Sequence, residues 1–179
     1  MTSDAEKPDG EPPHRERSAL VDHTAAAIRE RIMSGEIPIG AQLRQAELEG
    51  LACARAAGEI SAAQLDALRR TVDALRDEPP PAAADDRFHA LIHEAAGNER
   101  LARTIRDIHD AFPRNVAALV LADNPRLRAN NIAQHERITE ALAANDAELA
   151  RREMRDHVIA AGEALARWYE RRSQTVFRG

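Results

Sequence analysis

Cysteine, lysine and aromatic residues are all scarce in this 179-residue chain. Cys53 is its single cysteine, so no disulfide can close within the chain, and a disulfide-stapled secreted module is excluded. Phe, Trp and Tyr make up 3% of the residues, which disfavours β-sheet faces built on aromatic and β-branched pairs. No apolar run approaches the ~18–20 residues that a membrane span requires. Met1 to Arg17 is acidic, Pro-rich and without an apolar h-region, so it reads as a disordered leader rather than a signal or transit peptide. A soluble, cytoplasmic protein with no membrane partner is the expectation. Lys7 is the one lysine, and every other basic residue is Arg. Residues 1–50 hold ten Asp/Glu against six Lys/Arg, and the whole chain has a net charge of −5. A basic stripe able to displace phosphate counterions is therefore missing, which argues against a duplex-DNA reader.

What is present favours helices. Ala fills 37 positions in a sequence that is 44% hydrophobic, enough for a sizeable core in one domain. Apolar residues at helical spacing predict a first helix from about Ser18 to Ser34, ended by Gly35 and followed by a turn through Pro38 to Gly40. Further helices are predicted over Gln42–Ala57 and Ser61–Arg76, the second with Ser61 as its N-cap. The Glu78–Ala84 stretch, with three consecutive prolines, cannot continue a helix. Next come Asp85–Ala96, then Glu99–Ala111 with Arg114–Leu121 after a bend at Pro113, then Arg126–Ala144. A last helix runs from the Asn145-Asp146 turn to about Arg172. No segment alternates like a strand, so the fold class is all-α: an antiparallel bundle of about six to seven helices.

The chemistry-bearing residues are imidazoles and a carboxylate. Asp85 and His89 are four apart, so they project from one helix face and could share a divalent ion. His135 and His157 lie ten residues before Asn145 and eleven after Asp146. On antiparallel helices both stand roughly 15–16 Å from the turn and can face each other. If the Asp85 helix packs beside that pair, an Asp/His/His/His metal site results. A solvated or hydrogen-bonded polar residue is the competing reading for each of the four. His93, four after His89, is either a further group on that face or a polar residue at a pocket edge. His14, His23 and His109 have no spaced partner and are not assigned to a site. Cys53 reads as a buried, inert thiol and Trp168-Tyr169 as a packing anchor. No phosphate loop, Gly-x-Ser-x-Gly elbow or His-Glu-x-x-His is present.

Asp85-x-x-Phe88-His89 followed by Ala95-Ala96-Gly97-Asn98 resembles the signature of the FCD domain, the helical effector-binding domain of FadR-subfamily GntR transcription regulators. The resemblance continues through His135-Glu136-Arg137-Ile138, Ala141-Leu142 and Asp146 to Ala150, Met154 and His157. It implies that Asp85, His89, His135 and His157 are the four ligands of one divalent transition-metal ion. Zn or Ni is favoured, with Mn, Co or Fe as other occupants, and a small organic acid reaches the metal. Four protein groups would close a Zn site, whereas Ni, Mn or Co expand more readily to admit an effector. A homodimer is implied by the same analogy.

The N-terminal part departs from the pattern. Ala26 to Leu43 resembles the opening of a GntR winged helix, but the text then passes straight into Leu48-Glu49-Gly50-Leu51-Ala52, which looks like the first FCD helix. The recognition helix and wing are missing, and Gln45 stands where the family's usual Arg precedes that Glu. The expected organisation is a leader at 1–17, a vestigial winged-helix remnant at 18–47 and an FCD-like domain at 48–172. DNA binding through this chain alone is not expected, because a helix-turn-helix reads bases with its second helix. Two functions follow. One is a metal-dependent organic-acid sensor, with Arg114 as a cation neutralising the ligand. The other is a metalloenzyme acting on a small carboxylate or carbonyl compound, with His93 as the base.

Overall fold

The computed structural model describes residues 41–77, 81, 83–110 and 116–176. The expected leader, the Ser18–Ser34 helix, the turn after it and His14 and His23 lie outside the described residues. Seven helices, and no strand, make up the described chain: α1 Ala41–Ala57, α2 Ala62–Ala74, α3 Ala84–Ala95, α4 Glu99–Asp110, α5 Val116–Asp123, α6 Pro125–Ala143 and α7 Ala147–Val176. The all-α expectation holds. None of these helices is long and apolar enough to cross a membrane.

Local chemistry sets the helix ends. Ser61 and Gln64 form a reciprocal capping box at the start of α2, satisfying two otherwise orphaned backbone donors. Asn124 caps α6 through its side-chain oxygen, 3.1 Å from the amides of Arg126 and Leu127. Pro125 opens the same helix, where its missing N–H costs nothing. Gly97, at φ +61°, ends α3 in the left-handed conformation that glycine adopts without strain. Asn145 closes α6 at φ 56°, and the Asp146 carboxylate then accepts the Leu149 amide at 2.9 Å to start α7.

The short Asn145-Asp146 connection makes α6 and α7 packed neighbours, and α1 lies along α7. At Gly50 the two backbones come close: a Cβ there would stand 2.9 Å from the Arg151 carbonyl oxygen. That contact seats the Ala46, Glu49, Cys53 and Ala56 face of α1 in the interior, each fully buried. The main core gathers Leu68, Leu75, Phe88, Ile92, Ile138 and Met154 from α2 and its C-cap, α3, α6 and α7. A smaller cluster joins Val120 of α5 to Trp168 of α7, which is buried as a packing anchor should be. Trp168 also donates its indole N–H to Asp123 at 3.4 Å.

Candidate metal centre and ligand cavity

Three histidines converge inside the bundle: His89 from α3, His135 from α6 and His157 from α7, all buried. The Nε2 of His157 is 3.3 Å from that of His89 and 3.3 Å from that of His135. Two nitrogens bound to one ion at about 2.0–2.1 Å stand roughly 3.0–3.4 Å apart, so these spacings fit a shared ion. The other ring nitrogens reinforce the fit. His157 Nδ1 donates to Gln134 Oε1 at 3.1 Å, and His89 Nδ1 points to Glu49 Oε2 at 3.4 Å. Each contact holds a proton on Nδ1, so Nε2 is the nitrogen that faces the cluster and, once deprotonated, offers its lone pair to an ion. The His135 ring is stacked on Phe88, with centroids 3.9 Å apart, and its buried Nδ1 has no hydrogen-bond partner.

Asp85 stands at the edge of this cluster, its Oδ1 3.5 Å from His135 Nε2 and accepting from Asn131 Nδ2 at 3.0 Å. Burial pushes the Asp85 carboxyl up, but the charges of His135, His89 and His157 and the Asn131 hydrogen bond bring it down to about 2. Burial lowers His157, and the His89 charge lowers it further, to about 4. His135 is held well below the usual imidazole range, by burial first and then by His157. His89 moves the other way. Burial opposes its charge, yet the Glu49 carboxylate outweighs that, with Asp85 and Asp86 adding, and raises it to about 9.

Glu49 is the least expected residue here. A fully buried carboxylate is costly unless it is paired, and three imidazoles supply that pairing. His93 Nε2 lies 2.7 Å from Oε2, and His109 Nε2 lies 3.1 Å from Oε1, beside the His89 contact. Burial pushes the Glu49 carboxyl up, but His89, His109 and His93 together hold it well below the usual range. His109 also meets the Gln45 side-chain amide at 2.7 Å. His93 is thus tied to Glu49 on the wall of the cavity, and its side chain is 9% exposed.

Asp85, His89, His135 and His157, the four candidates in the sequence, stand side by side. Glu49, Gln134, Asn131 and His109, to which the sequence assigns no role, stand beside them. Arg114 lies outside the described residues. Cys53 is buried beneath the site, its thiol pushed up by burial and by the Glu49 charge. A cavity of about 1170 Å³ opens onto the centre, lined by Asp85, His89, His157, Gln134 and His109 among others.

Fold and cavity together define a helical ligand-binding domain with buried imidazoles at the floor of its pocket. The chain belongs to the FCD domain family, whose model matches residues 41–160, two-thirds of its length. The FCD domain is the C-terminal domain of GntR-family regulators and binds small-molecule effectors. The match and α1 begin together at residue 41, so α1 runs through the boundary expected at 47/48. No curated protein matches the chain.

Proposed function

We propose that this protein is a metal-dependent sensor of a small organic acid, with His89, His135, His157 and Asp85 holding one divalent transition-metal ion. The observation that carries the reading is the convergence of three buried Nε2 atoms, two of them on rings whose Nδ1 is engaged by Glu49 or Gln134. When bound, the ion supplies a Lewis-acidic site for a carboxylate oxygen of the effector. Three imidazoles and one carboxylate suit borderline ions such as Zn or Ni, and also Co, Mn or Fe, better than Ca or Mg. Asn131 orients Asp85, and Glu49 and Gln134 fix two imidazoles; Arg114, outside the described residues, is proposed as the cation that neutralises ligand charge.

The sensor works as a cytoplasmic homodimer, or paired with a DNA-binding relative. The sequence of residues 18–47 lacks the recognition-helix motif of a winged helix, and on this reading the chain makes no DNA contact of its own. A second reading, a metal-dependent enzyme on a small carboxylate or carbonyl compound, draws on the contact between His93 and the buried Glu49, which would orient an imidazole base on the cavity wall. Calorimetry of the metal-loaded protein with acetate and citrate, repeated after chelation, tests the sensor. Binding that requires the ion supports it, and equal binding without the ion overturns it. Turnover lost in His93→Gln with acid binding retained would favour the enzyme.

A further inference from the structure

The cavity is larger than a two- or three-carbon acid needs, and its walls are not uniform. Arg103 and Arg106 both line it, three residues apart on α4. His109, three residues further along, lines it as well, with its ring centroid 6.4 Å from that of His89. Positions 103, 106 and 109 fall along one side of the helix, rising by about 9 Å from first to last. Both arginines therefore share one cavity with the histidine cluster, their backbone positions about 9 Å and about 4.5 Å along the helix axis from His109.

Neither arginine is engaged in an ion pair among the described residues. Partners are within helical reach, since Glu99 and Asp107 lie four residues either side of Arg103 and Asp110 lies four beyond Arg106. Elsewhere the chain does pair its arginines: Arg76 with Glu136, Arg137 with Glu153 at 2.9 Å, and Arg155 with Glu47. Glu94, an acid on the same cavity wall, is engaged by Arg87 at 3.1 Å. The cavity also has an apolar wall, to which Val120, Leu121 and Leu165 contribute.

We infer that Arg103 and Arg106 form a second anion subsite, and that the effector is an elongated dianion. One carboxylate sits at the histidine cluster, an apolar chain lies along Val120, Leu121 and Leu165, and a distal carboxylate or phosphate meets the two arginines. The inference rests on the metal-dependent acid-binding reading above. Paired guanidinium groups suit such an anion, because each offers a planar fork of donors to its oxygens.

The test uses the full chain loaded with metal, titrated calorimetrically with acetate, octanoate and suberate. Octanoate and suberate have the same chain length and differ in the distal carboxylate. Suberate should bind about tenfold tighter than octanoate, given the strength of charge-assisted contacts. In the R103Q/R106Q double variant that advantage should shrink to about twofold or less, with acetate affinity and metal content unchanged. Equal binding of suberate and octanoate, or an advantage that survives the double substitution, overturns the subsite. If acetate still binds a protein carrying one ion per chain, only this inference falls. If no ion is taken up, the reading beneath it falls as well.

Discussion

Three imidazole nitrogens packed 3.3 Å from neighbour to neighbour are an awkward arrangement without a cation between them. In the metal-free protein a proton on His89, raised to about 9, fills one of these gaps. A metal must displace that proton at any pH below about 9, so lower pH weakens uptake and higher pH strengthens it. Apparent affinity should fall by up to about tenfold per unit as pH drops from 9 toward 7, and level off above 9. Zn titrations at several pH values check this, and affinity independent of pH over that range would contradict it. His157, lowered to about 4, is already neutral there and adds no further proton. Glu49→Gln keeps the shape of its side chain but removes the charge that orients and polarises His89. Metal affinity should drop by about 10–100-fold while the stoichiometry at saturation stays at one. Competition with a chromophoric chelator measures that drop, and unchanged affinity would mean that Glu49 serves packing alone.

At the scale of the helix, the α1–α7 crossing decides where Glu49 sits. Gly50→Ala would drive a Cβ into the Arg151 carbonyl oxygen, a backbone atom that cannot swing aside. The helices must separate, at a cost of about 1–3 kcal/mol in unfolding experiments, with weakened metal affinity as the functional echo. Stability and affinity both unaltered would sink this account of the crossing. Much of the helical layout is legible in the sequence, because its punctuation is local. Ser61 with Gln64, Asn124 with Pro125, and Gly97 each mark an end by their own chemistry. The Asn145-Asp146 turn likewise fixes the heights of His135 and His157 through nothing more than helical rise. Glu49 was harder to see, because its partners come from α3 and α4, 40 and more residues away. One signal was available. Ala46, Glu49, Cys53 and Ala56 follow the i, i+3, i+7, i+10 spacing of a buried stripe, and an acid on that stripe needs partners. His109 was set aside for lack of a spaced partner on its own helix, when its partner stands on α1.

For the molecule as a whole, the centre ties α3, α6 and α7 together, and α1 and α4 join it through Glu49 and His109. An ion bound only by the folded chain stabilises it by mass action, about 2.7 kcal/mol at a free concentration 100 times its Kd. Chelation should therefore lower Tm, and readdition of Zn or Ni should restore it. A melting curve indifferent to both would show that these helices do not depend on an ion. The most direct measurement is native mass spectrometry of the purified chain beside His135→Ala, each exposed to Zn and to Ni. The account predicts one divalent ion per wild-type chain and none retained by His135→Ala, whose fold is checked by circular dichroism. A folded His135→Ala protein that still carries one ion per chain, or a wild-type chain that takes up neither metal, would contradict it.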